Sequence, residues 1–426
     1  MKKKIGLIIF TSMAAMVLLA GLSVLFIPRL RESVAWRVNE YRMRIDYALN
    51  PPEEAVFVPD TNPIPTPMFT QTPTPTLLPS LTPTQPEITN TPLPSATPLP
   101  SAVTLTGIKY QDQHGLWNYC APANLAMSLS YWGWEGDRMD TGNYLKPFEK
   151  DKNVMLYEMA DYVNTQTNLK AIVRSGGNLD LLKKLIAAGY PPLVEKGVFI
   201  RDISGKNSWM GHYAVVSGYD DSTNFFLTQD SYFQPDYPVE YEQLYSQWRG
   251  FNYLFLVTYK PEQEADLFKV LGEYKDEKEA DRIAYEKANQ EIYQTEGIDM
   301  FFAWYNRGTN MVYLQDYAGA AESFDQAFQV YGLIPENQRP WRTTWYRTEA
   351  YAAYYFVGRY QDVINLATLT INNATEPYLE ENFFWRARAY LATGQNQKAL
   401  DDVNQALEYH PGYAPALSLL DQIGSG

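Results

Sequence analysis

The chain has 426 residues, a formal net charge of −14 and 15% aromatic residues. That length exceeds what one compact core normally holds, so two or more domains are expected. The acidic balance excludes nucleic acid as an expected partner, because phosphate binding needs Lys and Arg patches. The single cysteine excludes an intrachain disulfide framework.

The N-terminus reads MKKK over residues 1–4, then an uncharged apolar run, IGLIIFTSMAAMVLLAGLSVLFI, over residues 5–27. Such a run is long enough to cross a bilayer as a helix, and no convincing cleavage site follows it. The expectation is a transmembrane signal anchor, with the membrane as a partner through this helix. Lys2, Lys3 and Lys4 favour a cytoplasmic N-terminus, while Arg29, Arg31 and Arg37 compete from the far side. The expected location is the cytoplasmic membrane, single-pass, with the soluble domains extracellular.

Residues 28–50 read as a juxtamembrane helix, stopped by Pro51 and Pro52. Residues 51–104 are dominated by Pro, Thr and Ser and read as a disordered stalk, because such a composition cannot bury a core. In polyproline geometry its ~40 Pro-rich residues would reach on the order of 120 Å.

Residues 105–260 change character. The stretch LWNYCAPANLAMSLSYWGW, residues 116–134, holds the only cysteine, Cys120, just ahead of a helical run. Asn118 is a candidate helix cap, and Pro122 is tolerated in a first turn. Cys120 would then sit at a helix N-terminus, where the dipole and free amides favour a thiolate and can hold an oxyanion. Leu125, Leu129 and Trp132 form the stripe that would bury this helix. LDLLKKLIAA, residues 179–188, has helical spacing and ends at Gly189. PPLVEKGVFI, HYAVVSGYD, FFLTQD and YLFLVTYK read as strands, so helices precede strands, as in an α+β domain.

A thiolate nucleophile needs a base, and the base needs an orienting group. The chain has three histidines. His410 precedes Pro411 and reads as a surface residue; His114 falls in a loop; His212 opens a strand. DDSTN, residues 220–224, is a turn signal. A hairpin centred near Ser222 sets His212 opposite Tyr232, with Asp230 one diagonal pair away on the same face. A one-residue slip in register breaks that arrangement.

These residues resemble the papain-like cysteine peptidase clan, and within it the double-glycine, bacteriocin-processing peptidase-like family. The resemblance rests on WNYCAPANLAMSLSYWGW, on the GYPPLVE strand and on GHYAVVSGYDDSTNFFLTQD. It implies an α+β papain-like domain with Cys120 as nucleophile, His212 as base and Asp230 as its orienter. It further implies a glutamine that holds the oxyanion, Gln113 or else Gln111. The family usually has Gly directly after the cysteine, where this chain has Ala121. Bacteriocin-processing members are fused to transporter domains, and nothing here resembles an ATPase, so leader removal during export is not implied.

Residues 265–424 read as helical and repetitive. Trp304, Gly308, Tyr317, Ala320, Phe324 and Ala327 in one unit overlay on Phe383, Ala387, Tyr390, Gly394, Ala399 and Ala406 in another, with a weaker unit between them. Small residues at these offsets let paired helices approach, and the pattern resembles tetratricopeptide repeats. The expected fold class is multi-domain: an N-terminal transmembrane helix, an α+β papain-like domain and an all-α tetratricopeptide-repeat solenoid. The expected function is a membrane-anchored, extracytoplasmic cysteine peptidase-like hydrolase acting on a peptide or protein substrate, with a protein partner bound through the repeats. The alternatives are a non-catalytic peptide-binding scaffold and a thiol acyltransferase. No cofactor and no metal are expected, since three scattered histidines and one cysteine have no ligand spacing.

Overall fold

The computed structural model describes residues 28–49, 55–60, 98–202 and 205–424. The fold class was to open with a transmembrane helix, but among the described residues no helix is long and apolar enough to cross a membrane. Residues 5–27, on which that expectation rests, lie outside the described residues. The architecture present is a sheet-containing part followed by an array of helices.

The first described element is helix α1, Pro28–Leu49. Strand β1, Ala102–Thr104, follows the Pro-rich stretch, and then come helices α2 (Cys120–Tyr131), α3 (Arg138–Leu145) and α4 (Leu156–Gln166). The sheet is completed by β2 (Lys170–Arg174), β3 (Pro192–Arg201), β4 (Asn207–Asp220), β5 (Phe225–Asp230), β6 (Gln234–Glu240) and β7 (Phe255–Tyr259). Helix α5 (Leu179–Ala187) lies between β2 and β3, and α6 (Tyr241–Arg249) between β6 and β7. The strand order is β2-β7-β3-β4-β5-β6, with β1 paired to the end of β4 beyond the reach of β3. β6 carries Pro235 and Pro238, which a central strand would not tolerate; it is the sheet's edge, where a missing N–H costs no ladder bond.

Alternate residues along the strands face two cores. On one face Val194, Val216, Phe255 and Val257 meet Leu182 and Leu185 of α5 and Trp248 of α6. On the other, Leu193, Val215 and Leu256 meet Leu125 and Leu129 of α2 and Met159 and Val163 of α4. Helix α2 is buried along its whole length from Ala121 to Ser130. Its polar residues therefore need partners. Asn124 donates to Ser231 Oγ at 2.8 Å, Ser128 pairs with Thr258 Oγ1 at 2.9 Å, and Ser130 donates to the Met127 carbonyl at 2.7 Å.

The helical array comprises α7 (Glu264–Leu271), α8 (Glu277–Glu291), α9 (Gly297–Tyr313), α10 (Tyr317–Leu333), α11 (Thr343–Tyr346), α12 (Glu349–Phe356), α13 (Tyr360–Asn372), α14 (Glu380–Ala392), α15 (Asn396–Tyr409) and α16 (Ala414–Gly424). Small residues set the closeness of the pairs. A Cβ on Gly308 of α9 would lie 2.9 Å from the Phe324 ring of α10. The two parts share a core. Trp209 of β4 stacks on Phe251 at 5.5 Å and meets Phe302 of α9 at 5.4 Å. Gly197 of β3 makes room for that indole, since a Cβ there would lie 2.4 Å from its nitrogen. Arg347 donates to the Gly250 carbonyl at 3.1 Å and Asn306 to that of Arg249 at 2.9 Å. The short segment 55–60 also docks on the array. Phe57 packs edge-on against Phe328 at 4.9 Å, and the Asp60 amide donates to Asp362 at 2.9 Å.

A cluster of acids lies where the α2–α4 side meets the last helices. Burial pushes Glu158 up to about 7 and Asp151 up to about 6, and it raises Glu380 and Glu381 well above the usual range. His410, expected at the surface, is instead half-buried and pairs through Nδ1 with Glu380 at 2.8 Å. Raised carboxyl values mean that the folded chain holds protons which the unfolded chain releases above about pH 4. The associated stability is complete below that point and is lost as pH rises through about 6 to 7. Urea unfolding is therefore expected to lose on the order of 2–3 kcal/mol between pH 5 and pH 7.5. Glu158→Gln should flatten that slope; an unchanged slope would remove Glu158 from the account.

Candidate active site

Cys120 is the first residue of α2, with Tyr119 as cap residue and no side-chain cap bond. Asn118 does not cap the helix as expected. It adopts a positive φ of 50° and turns its side chain away, donating to the Asp151 carbonyl at 2.9 Å. The first amides of α2 are thus left without a side-chain acceptor beside the thiol. Cys120 retains partial exposure but sits deep among surrounding atoms. Burial pushes its thiol up to about 12, and the nearby Glu195 carboxyl adds to this. The amides of Ala121 and Cys120 and the ammonium of Lys146 pull the other way and are outweighed. A depressed thiol, the expectation from the helix N-terminus alone, is therefore not what the folded chain has at rest.

His212 lies on β4 and Asp230 ends β5. His212 Nε2 and Asp230 Oδ1 are 2.7 Å apart, both side chains nearly inaccessible. Oδ1 also accepts the amides of Tyr232 at 3.0 Å and Phe233 at 3.2 Å. With Nε2 engaged, Nδ1 is the ring nitrogen left for a thiol. A bulge brings the two residues to one face. Near the turn Asp220 pairs with Phe225 and Gly218 with Leu227, but past the bulge Val216 pairs with Thr228 and Val215 with Gln229. Continued, that shifted register sets His212 opposite Tyr232 and Asp230 on the face of His212. Without the extra residue the carboxylate would point to the other side of the sheet.

Gln113 is tied by its backbone amide to the Ser231 carbonyl at 3.0 Å, and its side-chain oxygen accepts from Ser231 Oγ at 2.7 Å. Because the oxygen is occupied, the amide NH₂ is the end free to donate. Cys120, His212 and Gln113 line one cavity of about 640 Å³. Asp230 stands behind His212, outside the lining, and Gln111 is not part of it. No hydrogen bond joins the thiol to the imidazole among the described residues. A second cavity of about 730 Å³, between Pro98–Pro100 and Leu271, holds none of these groups.

Three features of the site had no signal in the reading above. Lys196 of β3 pairs with Asp230 Oδ2 at 2.9 Å, with 1% of its side chain exposed. Glu195, which unlike Lys196 lines the cavity, is pushed by burial up to about 8 and so stays protonated at neutral pH beside the thiol. Ser231 links Asn124 of α2 to Gln113. A strand of alternating residues gives no hint that its lysine turns inward, since the sheet face is known only after register and packing are. The cavity walls also come from far along the chain. Arg342, Trp345 and Tyr346 of the helical array line it, as do Trp36, Glu40, Met43, Arg44 and Tyr47 of α1. Trp36 lies 4.3 Å from Trp117, and Tyr47 accepts from Arg342 at 3.4 Å.

No group of three or more His, Cys, Asp or Glu among the described residues is arranged to hold a metal ion.

Comparison with known proteins bears on this part of the chain. Residues 105–255 match the model of the Peptidase_C39 like family. No curated protein matches the chain. A crystal structure described as that of a C39-like peptidase from Bacillus anthracis is 19% identical and covers 38% of this chain and 98% of its own, with a TM-score of 0.30. The family match ends before the helical array and does not reach residues 265–424, whose expected tetratricopeptide character no comparison shows. Residues 105–255 are thus similar to the Peptidase_C39 like family, which supports a cysteine-peptidase-like fold for this part of the chain.

Proposed function

We propose that this protein is a thiol hydrolase of the peptidase type, with Cys120 as nucleophile, His212 as general base and acid, and Asp230 as the group that orients the imidazole. The observation that carries this reading is the 2.7 Å contact between His212 Nε2 and Asp230 Oδ1, made at the cavity that also holds Cys120 at the start of a buried helix. The Asp230 contact keeps the proton on Nε2, so Nδ1 can take the thiol proton. The sulfur then attacks the substrate carbonyl carbon, and the carbonyl oxygen becomes an oxyanion held by the Gln113 NH₂ and the uncapped amides of α2. His212 returns the proton to the leaving amine, and water releases the acyl group by the reverse sequence. Since thiol and imidazole are not hydrogen-bonded at rest, the reactive pair forms when substrate fills the cavity and draws them together. The helical array supports a role in substrate selection, because Arg342, Trp345 and Tyr346 wall the same cavity.

The test is labelling of the full chain with a peptide acyl-electrophile probe, read as a mass increase at Cys120. The expected result is saturable labelling that falls by about 10²–10⁴-fold in His212→Ala. Labelling no faster than that of the unfolded chain, and indifferent to His212, would overturn the enzyme. A second reading, a non-catalytic peptide-binding scaffold, is favoured by the buried and protonated thiol; it predicts peptide binding without labelling. Acyl transfer is separated from hydrolysis by adding an amine acceptor and identifying the product.

A further inference from the structure

β3 and β4 pair antiparallel with Lys196 directly opposite His212. β5 lies on the far side of β4 and brings Asp230 to the same face. The carboxylate reaches both neighbours, His212 through Oδ1 at 2.7 Å and Lys196 through Oδ2 at 2.9 Å. Lys196 lies outside the cavity lining and behind the histidine, where it cannot touch a bound substrate. Asp230 is the one polar side-chain contact of its ammonium among the described residues.

We propose that Lys196 is a positioning residue that keeps His212 in its neutral, proton-accepting form; this rests on the triad proposed above. A carboxylate buried beside an imidazole favours the imidazolium, whereas a cation in the adjacent strand position opposes it. With Lys196 charged, the buried Lys–Asp pair is already neutral, and an imidazole without its extra proton leaves the site uncharged. Moving the thiol proton to His212 then creates one positive and one negative charge within a site whose net charge does not change. Without Lys196, the buried carboxylate would hold a proton on His212 and remove the base before substrate arrives. Lys196 also fixes the carboxylate in rotation, since it claims Oδ2 while Oδ1 serves His212 and the two amides. The other groups around the imidazole do not supply this balance. Glu195 of β3 is protonated at neutral pH, Arg342 of the helical array is paired with Asp202 at 3.3 Å, and Tyr232 meets the ring edge-on. Cys120 of α2 is a neutral thiol at rest.

The experiment is titration of His212 in the full chain by NMR of ¹³C-labelled histidine, resolved from His114 and His410 by His→Gln variants of each. Lys196→Met should raise the His212 midpoint by about one to two pH units, while Lys196→Arg stays within a few tenths of a unit of the parent. A Lys196→Met midpoint equal to the parent's would overturn the proposal and leave Lys196 a packing residue. Should Lys196→Met not fold, Asp230→Asn is compared with Asp230→Asn/Lys196→Met. The double variant should titrate higher than the single one, and equal midpoints would again overturn the assignment. The titration needs no substrate, so absence of peptide turnover would count against the enzyme and not against this role of Lys196.

Discussion

The Asp230→Asn protein is expected to hydrolyse peptide with kcat/KM lowered by about 10³–10⁴-fold, from a wrong imidazole tautomer rather than a lost fold. Oδ1 of Asp230 accepts His212 Nε2–H together with the amides of Tyr232 and Phe233, and Oδ2 accepts the Lys196 ammonium. All four are donors. An asparagine has one acceptor oxygen for these two sides. If its oxygen serves Lys196, its NH₂ faces Nε2 and drives the histidine proton to Nδ1, where it blocks uptake of the thiol proton. If its oxygen serves His212, a buried ammonium loses its counter-charge. The check is steady-state hydrolysis of a peptide identified by probe labelling, with circular dichroism to confirm the fold. A loss of less than tenfold would mean that the backbone alone fixes the tautomer.

The second large effect concerns access. Trp36→Ala combined with Tyr47→Ala, in the full chain, is expected to speed iodoacetamide alkylation of Cys120 by about tenfold or more at pH 8. Burial is the main cause that pushes the thiol up to about 12. Trp36 and Tyr47 line the cavity over that thiol, one against Trp117 and the other against Arg342. Removing both rings readmits water, and each unit by which the thiol then falls multiplies the thiolate fraction by about ten. The single cysteine makes the mass readout unambiguous. Val38→Ala serves as control, because Val38 is 60% exposed and outside the cavity lining. Equal rates in the double variant and the parent would show that α1 does not limit access to the sulfur.

How much of this was legible in the residue order differs from element to element. The strands FFLTQD and YLFLVTYK announce themselves through β-branched and aromatic density, and they appear as β5 and β7. β6 does not: with two prolines in seven residues it lacks the density of the other strands, and only its place at the sheet's edge accounts for it. The helix after Cys120 was legible, but its environment was not. A stripe of Leu125, Leu129 and Trp132 suggests one buried face, whereas α2 is buried from Ala121 to Ser130, and its Ser128 and Ser130 hydroxyls and Asn124 NH₂ hydrogen-bond within the protein. The anchor read from residues 5–27 has no counterpart among the described helices.

The residue order alone determined which chemistry was available: one thiol, three imidazoles and a turn that folds His212 back toward Asp230. Those are local properties, carried by residue type and by spacing along one hairpin. Tertiary structure decided the rest. A single bulge between Val216 and Gly218 sets which face Asp230 occupies, and cross-strand pairing places Lys196 beside His212. Packing of α1 and the helical array around the cavity turns a helix-start cysteine into a buried, protonated thiol. These outcomes depend on which distant segments exclude water from the site. Desolvation is a property of the assembled volume, and no window of sequence contains it.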